Sequence, residues 1–298
     1  MTQQQSVSRR TLFAALAASY VASACVHRHA SLQREFAASA AAIRSRVGGR
    51  VGVYILDTRS QLELAFNAHE RFAMCSTFKL LLAAAVLRRV DAGTLTLDDK
   101  LPLRPEDMLA HAPVTSLHLA AGSMSVRDLC AAAVTVSDNP AANILLAATG
   151  GPAALTQFLR GIGDRVTRLD RTELELNSNL PGDPRDTTTP QAMARSMEQV
   201  LLADVLSTQS KLQLIAWLRQ STTGLARLRA GLPEEWKAGD KTGTGANGAT
   251  NDVMIGWPPG RSAVIGAVYL SESTQPTRAL EQAHAEIGGV VAAAVARQ

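Results

Sequence analysis

Ser76-Thr77-Phe78-Lys79, followed at once by Leu80-Leu81-Leu82-Ala83-Ala84-Ala85-Val86-Leu87, is the most informative stretch of this chain. The apolar run is the longest uninterrupted one beyond the N-terminus, and it is too short to span a bilayer. Ser76 and Lys79 are three positions apart, so a helix places them on one face. A serine hydroxyl is a poor nucleophile at neutral pH without a base in hydrogen-bond reach. A lysine in a dry pocket can lose its proton and serve as that base. Taken alone, the same residues equally describe a serine N-cap with a solvated lysine one turn on.

The chain changes character on either side of this run. Upstream, residues 31–47 carry Leu32, Phe36, Ala40 and Ile43 at helical spacing, and Gly48-Gly49 breaks that pattern. Residues 51–56 read as a strand, residues 57–60 as a hairpin turn and residues 62–66 as the antiparallel partner. From 76 to about 219 the pattern is almost wholly helical, punctuated by Pro102, Pro105, Pro113, Gly122, Pro140, Gly150-Gly151-Pro152 and Pro181-Gly182. After Gly231 strands return at 236–241, 252–257 and 263–270, and residues 277–296 close the chain as a helix. Strands at both ends with helices between imply an α+β fold. The ends (31–70 and 220–298) form one antiparallel five-stranded sheet flanked by the N- and C-terminal helices, and residues 71–219 form an inserted all-α domain. A cleft between two such domains is a common place for an active site, and Ser76 lies at the start of the helical part.

With 298 residues and 46% hydrophobic content, the chain can bury a large core. Of 30 basic residues only five are lysine, and Lys79 and Lys241 both fall in motifs that look catalytic. The basic residues form no stripe and aromatics are only 4%, so the charge reads as a mixed solvated surface and not as a nucleic-acid footprint. The six histidines include no H-E-x-x-H helix or clustered ligands, so no metal is expected. No phosphate-binding loop is present either, and no cofactor is implied.

Residues 1–24 read as an export signal. Arg9-Arg10 precede an apolar stretch over 14–24, and Ala22-Ser23-Ala24 is a small-residue cleavage pattern. Paired arginines resemble a twin-arginine signal, although an ordinary signal with two basic residues fits as well. Removal of Arg9 and Arg10 takes the formal charge from +4 to +2. Cys25 follows a small-small pair, as in a lipoprotein box, but Ala22 stands where leucine is usual. Cys75 and Cys130 could meet in an exported protein. No bridge is expected between them.

Two further motifs change the reading of Ser76. Ser137-Asp138-Asn139 follows the apolar residues 129–136 and precedes Pro140, and Lys241-Thr242-Gly243 ends a predicted strand. Each is uninformative alone. In the order S-x-x-K, S-D-N, K-T-G the three resemble the penicillin-recognising serine enzymes, a superfamily of β-lactamases and cell-wall transpeptidases. Glu173-Leu174-Glu175-Leu176-Asn177 resembles the E-x-x-x-N segment of the omega loop of class A β-lactamases. Arg171 and Asp186 flank it where that family ties the loop with a salt bridge. The resemblance covers about residues 35–298.

The resemblance implies the following roles. Ser76 attacks the lactam carbonyl, and the backbone N–H groups of Ser76 and Thr244 form the oxyanion hole. Lys79, or Glu173 through a water, takes the serine proton. Ser137 relays a proton to the departing nitrogen beside the charge of Lys241. Asn139 holds the substrate's side-chain amide, and Lys241, Thr242 and Thr244, with Gly243 between them, face its carboxylate. Glu173 and Asn177 make the acyl-enzyme hydrolysable, because a fixed carboxylate can activate water against the ester. Without them a D-alanyl-D-alanine peptidase or a β-lactam-sensing domain would be the better match. Thr250 stands where many members carry a carboxylate-clasping arginine, and Arg227 takes that role from the neighbouring segment. His111 matches a gatekeeper position beside the cleft, or is an exposed loop histidine. Gly245 and Ala83 exclude two disulfides found in other branches. The expected protein is a periplasmic monomeric hydrolase of small β-lactams, with a lipid tether on Cys25 left open.

Overall fold

β1 (Arg50–Asp57) and β9 (Val264–Ser271) form the spine of the molecule, and their alternating side chains build two cores on opposite faces of one sheet. The computed structural model describes residues 9–298, with side chains described from residue 27 onward. The sequence readings of residues 1–8 and of the Cys25 side chain therefore lie outside the described residues.

The sheet is antiparallel throughout, in the order β2 (Glu63–Phe66), β1, β9, β8 (Thr250–Trp257), β7 (Lys237–Thr244). Successive strand residues point to opposite faces. Val51 and Val53 of β1, with Val264 and Val268 of β9, face α1 (Arg9–Val47) and α9 (Thr277–Ala296). Leu32, Phe36, Ala40 and Ile43 meet them there, the helical stripe seen in the sequence. Tyr54, Leu56, Ile265, Ala267 and Tyr269 face the other way, into the core shared with the central helices. Both ends of the chain thus contribute to one sheet, as the sequence pattern requires.

α1 is longer than the helix expected over 31–47. It starts at Arg9, since the alanine- and leucine-rich residues before 31 contain no helix breaker. Among the described residues no helix is long and apolar enough to cross a membrane.

On the second face lies α2 (Phe78–Asp91), whose residues 78–87 are all buried. Around it pack α4 (Val126–Thr135), α5 (Asn139–Ala148), α6 (Gly151–Gly161), α7 (Pro190–Leu201) and α8 (Thr208–Arg219), with the single-turn α3 (Thr115–His118) before α4. The expectation that residues 71–219 are all helical needs one correction. β3 (Phe72–Ala73) pairs with β6 (Thr187–Thr188), and β4 (Lys100–Pro102) pairs with β5 (Ser123–Ser125). Strands of two or three residues are too short to show a period of two. The first pair matters for function, because it joins the segment entering Ser76 to the segment leaving the 171–186 loop.

Candidate active site

Ser76 lies in a single 3-10 turn, Cys75–Thr77, that runs straight into α2. Thr77 anchors the turn, its hydroxyl bonding the Met74 carbonyl at 2.8 Å and lying 3.1 Å from the Tyr269 hydroxyl. One turn on, Lys79 is fully buried. The structure corrects the simplest form of the serine–lysine idea: among the described residues, Lys79 makes no hydrogen bond to Ser76. Its ammonium instead donates to the Ser137 carbonyl at 2.8 Å and to Asn139 Oδ1 at 2.6 Å, and it pairs with Glu173 Oε1 at 3.0 Å. The Ser76 hydroxyl donates to that same Glu173 Oε1 at 3.1 Å. Glu173 stands between the two groups that sequence spacing had paired.

Glu173 is held from three sides. Asn177 donates to Oε2 at 2.5 Å. Asn143 on α5 grips its backbone twice, accepting from the Glu173 N–H at 3.0 Å and donating to its carbonyl at 2.9 Å. The loop is tied at its base, where Arg171 Nε meets Asp186 at 2.5 Å and Asp186 also accepts the N–H groups of Asp170 and Arg171. Sequence reasoning missed Asn143. The only available signal was its place four residues after Asn139, on the same face of α5.

Asp138 fixes the Ser137 loop. It caps α5 by accepting from the Ala141 N–H at 3.0 Å, and it also accepts from the Val114 and Thr115 N–H groups. Ser137 has φ +63°, a left-handed conformation that a non-glycine residue adopts only when its surroundings impose it. Cys75 (φ +46°) and Asp186 (φ +58°) share this feature. The Ser137 hydroxyl accepts from Lys241 at 3.0 Å and lies 3.5 Å from Lys79, bridging the two lysines. Both ends of the Asn139 amide are used within the protein, since Nδ2 donates to the Ala110 carbonyl at 2.8 Å. His111 is exposed, with Nε2 2.8 Å from the Val136 carbonyl.

β7 forms the opposite wall. A side chain at Gly243 would meet the Met74 carbonyl at 2.7 Å, so only glycine lets this strand lie against the nucleophile turn. At Gly245 an added carbon would meet Cys75 Sγ and the Asn177 carbonyl, both at 2.7 Å. Thr242 donates to Thr223 at 2.7 Å, a second partner that the motif did not reveal. Arg227 departs from the free fork expected for it. It is 4% exposed, with Nη1 on the carbonyls of Gly243 and Asn251 and Nη2 on the Thr244 hydroxyl at 2.8 Å. Its charge reaches the cleft through Thr244.

Burial lowers Lys79 below the usual lysine range, with the Glu173 carboxylate opposing the shift. Burial, helped by the nearby Lys79 charge, brings Lys241 down to about 7. The Cys75 thiol goes up to about 12, chiefly through burial, so it stays protonated and is no rival nucleophile. Cys75 and Cys130 are both free and buried. The arrangement is a serine in contact with a fixed carboxylate, a hydroxyl poised between two lysines, and a glycine-lined strand edge able to take a carbonyl oxygen. It can perform acyl transfer followed by hydrolysis.

Comparison with known proteins agrees. Residues 32–295 match the family described as the beta-lactamase enzyme family. The chain is 45% identical over 235 residues to beta-lactamase CTX-M-8 of Citrobacter amalonaticus, covering 79% of this chain and 80% of the relative. It is 51% identical over 218 residues to beta-lactamase L2 of Stenotrophomonas maltophilia, covering 73% and 72%. Among solved structures, an ancestral class A beta-lactamase superposes with a TM-score of 0.86 at 53% identity, over 87% of this chain and 99% of that one. A beta-lactamase from Xanthomonas campestris gives 0.87 at 47% identity, over 89% and 98%. The chain belongs to the beta-lactamase enzyme family, in its class A serine branch.

Proposed function

We propose that Ser76 opens the β-lactam ring of penicillins and cephalosporins, with Glu173 as the base in both half-reactions. The observation that carries this reading is the single oxygen, Glu173 Oε1, shared by the Ser76 hydroxyl at 3.1 Å and the Lys79 ammonium at 3.0 Å. Ser76 Oγ attacks the lactam carbonyl carbon while its proton passes to Glu173. Charge on the former carbonyl oxygen is met by the N–H groups of Ser76 and Thr244, where one such donor is worth roughly 10²–10³ in rate. The C–N bond breaks, and the nitrogen takes the Ser137 proton; the proton on Glu173 replaces it by way of Lys79, which lies 3.0 Å from Glu173 and 3.5 Å from the Ser137 hydroxyl, so Glu173 is again a carboxylate. A water then attacks the ester, giving its proton to Glu173, and Ser76 regains its own. Lys79, pinned by Asn139 and the Ser137 carbonyl, is held in place to carry that proton. Purified protein should convert many equivalents of benzylpenicillin to the ring-opened acid; absence of turnover would remove the proposal.

Lys241, Thr242 and Thr244 receive the substrate carboxylate, and Arg227 acts behind Thr244 as a positioning residue. Arg227→Ala should raise KM for penicillins more than tenfold while kcat changes less; an unchanged KM discards this role. Lys241 loses its proton as pH rises through about 7, and with it the attraction for the carboxylate. The alkaline limb of kcat/KM should therefore fall well below the ordinary lysine value of about 10.4, near 7, with the loss mainly in KM. A limb near 10 would exclude Lys241 as its source.

The protein is read as a periplasmic monomer, exported by the twin-arginine route. Arg9-Arg10, the apolar residues 14–24 and the Ala22-Ser23-Ala24 pattern support export. Mass measurement of the exported protein distinguishes simple cleavage from lipidation of Cys25, and light scattering reports its oligomeric state.

A further inference from the structure

A second concavity of about 630 Å³ is lined by none of the residues around Ser76. It is bounded by residues 162–166, by one side of α7 from Gln191 to Gln199, and by His69 and Arg71 on the approach to β3. Its charges are unbalanced. The one carboxylate in its lining, Asp164, is turned inward: Oδ1 accepts the N–H groups of Val166 and Thr167 at 2.8 and 2.9 Å, and Oδ2 accepts from the Ser196 hydroxyl at 2.8 Å. Arg195 is already neutralised by Glu198 and Glu63 and stacks over Tyr54.

Among the described residues, Arg165 and Arg71 have no acidic partner. Arg165 is exposed and, among the described residues, makes no hydrogen bond or ion pair. Arg71 places Nη1 on the Val166 carbonyl and the Thr187 hydroxyl, at 3.0 and 2.9 Å, which fixes its guanidinium against the wall without any acidic partner. His69 and the Gln199 amide, likewise without a partner among the described residues, add further donors on the same rim. Two guanidiniums opening into one concavity, with the local acid withdrawn, form a receptor for a phosphate-type oxyanion. Planar N–H forks match phosphate geometry, and such charge-assisted bonds are the strong ones. The cavity lies within the range of about 300–1,000 Å³ typical of small-molecule sites, larger than one inorganic ion needs.

We propose that this pocket binds a phosphate-bearing small molecule, with the phosphate between Arg165 and Arg71 and the polar remainder against His69 and Gln199. The phosphate can come from a soluble metabolite or from a lipid headgroup, and the recognition chemistry is shared. Calorimetric titration of the full chain with inorganic pyrophosphate at low ionic strength tests it, beside cosedimentation with vesicles containing phosphatidylglycerol or only phosphatidylcholine. The expected result is saturable one-to-one binding that weakens about tenfold or more in Arg165→Ala, with penicillin hydrolysis unchanged in that variant. Arg165 is exposed and has no partner among the described residues, so its replacement does not threaten folding, and Arg71→Gln should weaken binding in the same direction. Pyrophosphate binding that Arg165→Ala weakens identifies a soluble source. Retention on phosphatidylglycerol vesicles alone, lost in Arg165→Ala, identifies a lipid. No saturable binding to either probe would overturn the proposal. So would binding that Arg165→Ala leaves intact and that competes with penicillin, because the anion would then occupy the catalytic cleft.

Discussion

Ser76→Ala should abolish β-lactam hydrolysis while leaving the fold intact. Among the described residues, the Ser76 side chain makes one hydrogen bond, to Glu173. The turn that carries it is anchored by Thr77 and by the packing of Gly243 against Met74. Loss of the hydroxyl therefore costs little stability, whereas no other group can take its place. Cys75, one residue away, is kept as a thiol by burial. Removing the nucleophile of a serine hydrolase lowers kcat by about 10⁶ when the remaining machinery acts as a unit with it. A steady-state assay with a chromogenic cephalosporin, alongside circular dichroism, should show at least a 10⁴-fold loss with an unchanged spectrum. Residual turnover within about 100-fold of the unmutated protein would mean another group attacks.

Glu173→Gln is the second large effect, and it differs in kind. The amide keeps the size of the carboxylate and can still meet Asn177 and Ser76, but it cannot accept a proton. It also removes the anion paired with the buried Lys79, whose ammonium is already disfavoured by burial. Lys79 would then lie further toward its neutral form and could assist acylation in part. Deacylation has no such substitute, because Lys79 stays held by the Ser137 carbonyl and Asn139, contacts that Glu173→Gln leaves in place. Positioned acid–base catalysis contributes about 10²–10⁴, so kcat should fall by roughly 10³ with the loss concentrated in ester hydrolysis. Rapid-quench kinetics should show a burst of one equivalent followed by slow turnover. A slowed burst with ester hydrolysis unchanged would instead assign Glu173 to acylation alone.

Much of this was legible in the sequence. Near-continuous apolar runs at 51–56, 252–257 and 263–270, and the helical stripe over 31–47, sufficed for the sheet and its flanking helices. Those patterns are local: the strands are buried on both faces and the helix on one. Four motifs placed Ser76, Lys79, Ser137, Glu173 and Lys241 on the list of reacting groups, and the structure brings them together. The partner each side chain takes was not legible. That Lys79 turns to Asn139, that Asn143 clamps Glu173, and that Arg227 folds beneath β7 are contacts between residues far apart in the chain. Nothing in their own neighbourhoods records them. The two-residue strands β3 and β6 escaped for a related reason: their pairing is decided by the docking of the 171–186 loop, not by any alternation of their own.

The central claim is that one carboxylate, Glu173, turns an acylated serine back into a free one. Intact-protein mass spectrometry after mixing with benzylpenicillin tests it most directly. The unmutated protein should return to its own mass once substrate is consumed, and Glu173→Gln should hold one added penicillin, located by digestion on the peptide containing Ser76. A Glu173→Gln protein that returns unmodified at the unmutated rate would contradict the account.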